Sequence, residues 1–170
     1  MNRRAFGLLA TVFSCGFAGA ARAEDVAARA ILDKAIKAMG GEDKLNKISS
    51  FSWTSTSVAK IGGKPIEMSA VFTFDGLTRV RREFRMGAAP RLTILDRDKG
   101  WYVFRREYRQ MDGDAVSREK RNIYLQVVPS LLVPLKRDGF KYAAAGEEEV
   151  DGKPASVLNV TGPDGQEFRL

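Results

Sequence analysis

The side chains available for chemistry exclude most familiar kinds of active site. The chain has no histidine and a single cysteine, Cys15, so Ser-His-Asp and Cys-His nucleophile systems are absent, as are histidine-ligated zinc and copper sites. Carboxylates remain, but the acidic run 147–149 lies on a predicted strand whose alternation separates its middle side chain from the other two. Asp96 and Asp98 flank a turn that lacks the further oxygen ligands of a calcium site. We therefore expect no enzyme activity and no catalytic, cofactor or metal site.

A basic segment at residues 79–109 is the most pronounced charge feature. It has ten arginine or lysine residues against four acidic ones, and alternation on neighbouring strands would bring several arginines to one face. Arginine forks suit phosphate and carboxylate groups, so Arg79, Arg81 and Arg85 are candidate contacts for an anionic lipid headgroup or polymer. The solvated outer face of a sheet is the alternative interpretation. Nucleic acid is not an expected partner, because the aromatic-plus-basic motifs of nucleic-acid-binding modules are absent.

A strand at residues 66–74 supplies the candidate binding surface. Its apolar residues recur with period two and therefore share one face. This face is either part of a packed core or the wall of an apolar cavity suited to acyl chains. In the second interpretation, the residues that line the cavity are Trp53, Met68, Phe72, Phe74, Val80, Phe84 and Trp101.

The elements that carry these residues belong to one domain. Residues 26–39 show helical spacing, and residues 42–48 add one or two helical turns. The glycine pair Gly40-Gly41 follows a helix, whereas a phosphate-binding loop needs a strand before its glycines, so a corner between helices is favoured. Glycine-containing turns indicate antiparallel hairpins in the rest of the chain. The predicted strands occupy residues 51–56, 66–74, 78–86, 91–96, 101–105, 140–144, 147–150 and 155–161, and Asp164-Gly165 begins a further hairpin whose second strand is cut at Leu170.

A second helical segment interrupts the strands. Asp114 is a candidate N-cap for a helix that extends to about residue 127, and Pro129 is expected to interrupt it. The apolar segment that follows has two interpretations. Leu131, Leu132 and Leu135 either form a movable lid over a cavity, where they would also contact a membrane or a carrier partner, or they plug the open side of the sheet.

Residues 1–23 have the layout of a secretory signal peptide. Two early arginines precede an apolar stretch at residues 5–20, and Ala21-Arg22-Ala23 offers a cleavage site. The arginine pair fits Sec or twin-arginine export, and the residues before Cys15 loosely fit a lipoprotein processing site. Cleavage would remove three of 28 basic residues and leave 25 against 21 acidic ones, a net charge of +4. We expect a cysteine-free domain at residues 24–170 in the periplasm or cell envelope.

Four longer stretches of the sequence are informative when they are taken together. They are ILDKAIKAMGGEDKLNKISSFSW, DGLTRVR, DKGW and PLKRDGFKYAAAGEEEVDGKPASVLNV. With them the chain resembles the carriers and sorting proteins of outer-membrane lipoproteins. The resemblance implies an incomplete β-barrel, closed on one side by helices, around an apolar cavity for acyl chains. In similar proteins a further strand pair follows the position of residues 168–170, so the half-barrel is expected to lack its final strands.

These observations together lead to one leading expectation and one alternative. The fold class is α+β, mainly antiparallel β, with a curved sheet or incomplete β-barrel covered by helices on one face. The expected function is to bind or carry lipid or acylated protein in an apolar cavity, with a membrane surface or an envelope protein as partner. The alternative is a non-catalytic interaction or sensing module whose basic sheet face binds an anionic polymer or a partner protein.

Overall fold

Two antiparallel sheets and three α-helices build the described part of the chain. The computed structural model describes residues 17–87, 90–137 and 139–170, and for residues 17–25 it describes the backbone only. The helices are α1 (Phe17–Ala38), α2 (Glu42–Asn46) and α3 (Gly113–Leu131), and a 3₁₀ helix spans Val133–Lys136. The strands are β1 (Ser50–Ile61), β2 (Lys64–Asp75), β3 (Arg79–Met86), β4 (Pro90–Asp96), β5 (Lys99–Phe104), β6 (Glu107–Gln110), β7 (Lys141–Val150), β8 (Lys153–Thr161) and β9 (Glu167–Arg169).

The first sheet is a six-stranded meander in which β1 to β6 pair in chain order. Gly62-Gly63 joins β1 to β2 in a two-residue turn, and both glycines have positive φ angles, 59° and 78°. Such a turn matches the twist of a hairpin and sets its register, so the hairpin predicted there is confirmed. Within the described ranges β1 and β6 are the edge strands of this sheet.

Strand β6 was not expected from the sequence. Its hairpin turn is Arg105-Arg106, and both arginines have positive φ angles, 50° and 70°. Glycine and asparagine are the residues that usually mark such a turn. The sequence therefore contains no ordinary signal for the sixth strand.

The second sheet has the order β7-β8-β9 and is also antiparallel. The sequence predicts two strands at residues 140–144 and 147–150, but they form the single strand β7 with a bulge between Ala144 and Glu147. Gly146 lies in the bulge with a φ of 87°, a conformation that costs glycine little. The predicted hairpin turn at Asp151-Gly152 connects β7 to β8.

The glycine pair after α1 is a corner, as expected. Gly40 and Gly41 have φ angles of 110° and 93°. The backbone N–H of Gly41 donates to the carbonyl oxygen of Ile36 at 3.0 Å. A left-handed C-terminal glycine that satisfies a late carbonyl ends a helix and redirects the chain, and α2 follows immediately.

Helix α3 differs from its prediction at both ends. Its N-cap is Asp112 rather than Asp114, and the Asp112 carboxylate accepts a hydrogen bond from the backbone N–H of Ala115 at 2.7 Å. The helix also continues beyond residue 127 through Pro129 to Leu131. Val127, Val128 and Leu131 are all buried, so the apolar stripe continues across the proline and outweighs the hydrogen bond lost there.

The main core lies between the first sheet, α3 and the second sheet. Among its fully buried side chains are Phe74 and Leu95 from the first sheet, Ile123 from α3 and Val160 from β8. Helix α1 packs on β7 and contributes Leu32 to the same cluster. Burying each of the larger side chains is worth roughly 1.5–3 kcal/mol, so α3 is held from both sides.

The expected fold class is confirmed at the level of an α+β protein with antiparallel sheets of six and three strands. The two sheets do not close into a barrel. Most of the predicted signal peptide, residues 1–16, lies outside the described residues. No helix within the described ranges combines the length and apolar character needed to cross a membrane.

Candidate functional site

The face of the first sheet that packs towards α3 carries the candidate site, and we call it the inner face. Its best-covered part is a cross-strand row formed by Phe51, Phe74, Val80 and Leu95. Phe74 is 0% exposed and stacks on Phe51 with ring centroids 5.2 Å apart. This row belongs to the main core, so Phe74 and Val80 are core residues.

The cover over the inner face ends at the next row. Trp53 and Phe72 lie opposite each other on β1 and β2, and their rings stack with centroids 3.9 Å apart and planes inclined by 13°. The two rings pack against each other, yet Trp53 remains 38% exposed. The inner face is therefore still apolar where the helices no longer cover it.

Helix α3 contacts this same row through an ion pair. The Glu119 carboxylate accepts a hydrogen bond from Arg82 Nη2 at 3.0 Å. The same nitrogen donates to Thr93 Oγ1 at 3.2 Å, and the guanidinium lies 6.0 Å from the centroid of the Phe72 ring. Glu119 and Thr93 are both buried. This polar contact marks the border between the covered and uncovered parts of the inner face.

Beyond that border the inner face carries further apolar side chains on β2, β3 and β5. Met86 is 40% exposed and Phe104 is 39% exposed, while Met68 and Phe84 are half-buried. Cross-strand register places Met68 opposite Met86. We call this region the uncovered apolar surface. Its members are Trp53, Met68, Phe72, Phe84, Met86 and Phe104.

Trp101 has to be removed from the predicted lining. It lies opposite Ile94, which in turn lies opposite Arg81, so Trp101 is on the outer face of the sheet. The turn before β5 is Arg97-Asp98, because Asp96 pairs with Lys99. Since side chains alternate between the two faces, the position of this turn decides which face Trp101 occupies.

The three arginines predicted to contact an anionic group also lie on the outer face. Arg79 is paired with Asp75 at 2.7 Å and with Asp96 at 2.9 Å. Arg81 and Arg85 both pair with Glu83, and their hydrogen bonds, that of Arg81 first, lower the pKa of the Glu83 carboxyl. They are therefore turned away from the uncovered apolar surface, and acidic neighbours partly neutralise their charge.

The predicted lid residues are part of the main core. Leu131 and Leu135 are buried, Leu135 to 1% exposure, and Leu132 is half-buried with a φ of 60°. Leu131 ends α3 and lies beside the turn between β2 and β3, Leu132 follows it, and Leu135 belongs to the 3₁₀ helix. This turn is at the end of the sheet opposite to Met86, so these leucines do not cover the uncovered apolar surface.

A separate groove of about 560 Å³ lies between α3, the β4–β5 turn and the second sheet. Its cations already have acidic partners: Arg121 contacts Asp164 at 3.0 Å, and Lys120 contacts Asp98. Burial, and secondarily a hydrogen bond with Asp164, raises the pKa of Tyr124 to about 12, so this phenol stays neutral. Arg97, a third cation of the lining, lies 3.7 Å from Asp96, so each of these three cations has an acidic partner. No cluster of three acidic, histidine or cysteine residues suitable for a metal occurs in the described ranges.

Sequence reasoning missed Arg82 as an inner-face residue. Arg82 lies between Val80 and Phe84 in a strand of period two, so its position in the pattern was the available signal. The buried partner Glu119 lies on α3 at a long distance in the chain, and no local pattern indicates that pairing.

Comparisons of the chain with models of protein families, with curated proteins and with solved structures found no match.

Proposed function

We propose that the protein binds the hydrocarbon part of a lipid or of an acylated protein on the uncovered apolar surface. In this proposal the two sheets are parts of a half-barrel with α3 inside it, and the guest lies beside α3 on the first sheet. The protein is exported to the periplasm or cell envelope and receives or delivers its guest there. It acts as a carrier or binder and not as an enzyme.

One observation carries the proposal: the inner face stays apolar where its cover ends. Trp53, Met86 and Phe104 are each between 38% and 40% exposed, although cross-strand register places them on the face that forms the core. Exposed apolar side chains that cluster on one face, rather than occurring singly, favour a binding site there. An acyl chain gains about 0.8 kcal/mol for each methylene that leaves water.

The shape of this surface also favours a hydrocarbon guest. Flat aromatic rings and two methionines form it, and the flexible thioether side chain adapts to guests of different length. The half-buried Arg82 and the buried Glu119, which lie where α3 meets this surface, form an ion pair at 3.0 Å. A guest that lies beside them therefore does not need to supply a polar group.

The two tryptophans of the chain allow a direct test, because Trp53 lies on the inner face and Trp101 on the outer face. The probe is a neutral monoacylglycerol whose acyl chain is brominated, used below the concentration at which it forms micelles. The purified chain is studied as two single-tryptophan variants, Trp101→Phe and Trp53→Phe. We expect saturable quenching of Trp53 emission in the first variant and much weaker quenching of Trp101 in the second.

A matched pair of variants then separates the two faces of the sheet. Met86→Gln changes a residue on the inner face that is 40% exposed, and Val71→Gln changes one on the outer face that is 36% exposed. Both are made in the Trp101→Phe background. Met86→Gln should weaken binding and Val71→Gln should not. Equal quenching of both tryptophans, or no saturable quenching at all, would refute the proposed function.

A further inference from the structure

Four arginines lie on the strands and the turn next to Phe104, at one end of the inner face. Arg91 lies opposite Phe104, and Arg109 lies opposite Tyr102. Arg105 and Arg106 form the adjoining β5–β6 turn. A pocket of about 350 Å³ occurs at this place. Its lining residues include Arg91, Thr93, Tyr102, Phe104, Glu107 and Arg109.

These arginines differ from those of the outer face in their lack of acidic partners. Arg79, Arg81 and Arg85 all form ion pairs with carboxylates. Within the described ranges, none of the four arginines around Phe104 forms such a pair, although Glu107 lines the same pocket. Positive charge therefore exceeds negative charge here, with Glu107 as the acidic residue of the pocket lining, and this excess favours an anionic ligand.

The turn that presents two of these arginines is strained. Arg105 and Arg106 have φ angles of 50° and 70°, in the left-handed region that non-glycine residues rarely adopt. Glycine or asparagine would form this turn at lower cost. Strain of this kind occurs at binding and active sites, and here it accompanies two arginines in the turn that directly follows Phe104.

Phe104 holds two of the guanidinium groups in place. The guanidinium carbon of Arg91 lies 5.4 Å from the centroid of the Phe104 ring, and that of Arg105 lies 5.1 Å from it. Cation–π contact restrains a guanidinium by its face and leaves its N–H groups free to form paired hydrogen bonds with phosphate or carboxylate oxygens.

We propose that this cluster binds the anionic headgroup, of the phosphate type, of an amphiphile whose acyl chain lies on the uncovered apolar surface. The inference rests on the proposed function and names the class of its guest. The apolar residues lie mainly on β1 to β3. Arg91 and Arg109 lie on β4 and β6 of the same inner face, and Arg105 and Arg106 form the turn between β5 and β6. Neighbouring strands are about 4.8 Å apart, so a headgroup over β4 or β5 lies roughly 10–14 Å from a chain over β2.

The test compares three probes on the purified chain by calorimetry. They are a monoacyl glycerol phosphate, the monoacylglycerol with the same acyl chain, and inorganic phosphate. We expect the acyl phosphate to bind about tenfold tighter than the neutral compound for each arginine that engages it. The quantity measured is the ratio of the two affinities.

Two double variants that each remove two positive charges provide the matched control. Arg91→Gln with Arg109→Gln should abolish most of the preference for the acyl phosphate. Arg81→Gln with Arg85→Gln removes the same charge from the outer face and should preserve the preference. Circular dichroism verifies that both variants are folded, and the experiment is repeated in higher salt to separate local contacts from long-range attraction.

The outcomes distinguish this inference from the function on which it rests. If neither acyl compound binds, the proposed function fails and this inference fails with it. If both bind with equal affinity, or if the two double variants lose the preference equally, only this inference is overturned. Inorganic phosphate could also bind as tightly as the acyl phosphate, with this binding lost in the Arg91/Arg109 variant. That result would show that the arginines bind free phosphate, and it would overturn the inference that the ligand is an amphiphile.

Discussion

Neutralising Glu119 tests whether its ion pair with Arg82 fastens α3 to the first sheet. The charged groups are 3.0 Å apart, and their side chains are 9% and 27% exposed. Their attraction at an effective dielectric constant of about 20 is on the order of 5 kcal/mol, before the cost of desolvation. Exposed pairs contribute about 0–1 kcal/mol, and removing one partner of a buried pair costs about 3–5 kcal/mol. For Glu119→Gln we expect an intermediate loss of about 2 kcal/mol.

A double-mutant cycle isolates the contribution of the pair itself. Glu119→Gln, Arg82→Gln and the double variant are compared with the original chain by equilibrium unfolding in urea, followed by tryptophan fluorescence and circular dichroism. With an unchanged slope of about 2 kcal/mol per M, the expected loss lowers the transition midpoint by about 1 M. The coupling energy should be about 1–2 kcal/mol.

The same cycle on an exposed pair is the control. Arg169 and Glu148 are 2.7 Å apart, but both side chains are 54% exposed, so their coupling energy should stay below about 1 kcal/mol. If the Arg82–Glu119 cycle gave no more coupling than this pair, the reasoning from burial would be refuted, and α3 would be held by its apolar contacts alone.

Three further changes test other parts of the structure. Leu135→Ala should lower the free energy of unfolding by about 2–4 kcal/mol, because Leu135 is 1% exposed and its loss leaves a cavity; a loss below about 1 kcal/mol in a urea titration would argue for a peripheral position. Asp112→Ala should cost about 1 kcal/mol, since the N–H of Ala115 loses its acceptor, while Asp114→Ala should cost less in the same titration. The Glu83 carboxyl has a lowered pKa in the folded chain, so its stabilising effect is present above its ordinary pKa and is lost as the pH falls through the lower folded value. Glu83→Gln should therefore flatten the loss of stability on acidification below about pH 4.5, and an unchanged pH profile would contradict this.

The fold was predictable where local patterns and turns agree. The period-two pattern at residues 66–74 correctly separates the faces of β2, and the Gly62-Gly63 turn correctly sets the pairing of β1 with β2. The corner at Gly40-Gly41 was also predictable, because glycine is the residue that ends a helix in this conformation.

The errors arise where a distant or weak signal decides the structure. The predicted strand at residues 101–105 begins too late and leaves the face of Trp101 undetermined. The observed turn is Arg97-Asp98, with Arg97 at a φ of 55°, and it places Trp101 on the outer face. Helix α3 passes Pro129 because burial by other elements continues there. These outcomes depend on tertiary packing and on unusual backbone conformations. Neither of them produces a clear pattern in the local sequence.

The candidate site was predictable in its apolar half only. Met68, Phe72 and Phe84 follow from alternation, but the arginines that share their face do not follow from charge alone. In the part of the chain that the structure describes, the segment at residues 79–109 contains arginines with and without an acidic partner, whereas the sequence shows only their total number. Cross-strand register separates them, because it determines which arginines meet an acidic neighbour.

The free side of β1 has a consequence for the protein in concentrated solution. This strand has 12 residues, and its first ten, residues 50–59, carry no charge and no proline. Within the described ranges only β2 pairs with it, so half of its backbone groups face outwards. Natural sheets usually prevent lateral growth at such a place with charges, proline or a bulge. Without them, two molecules can continue one sheet across their contact, and mutation of Thr54 or Thr56 to lysine should keep the chains apart during purification.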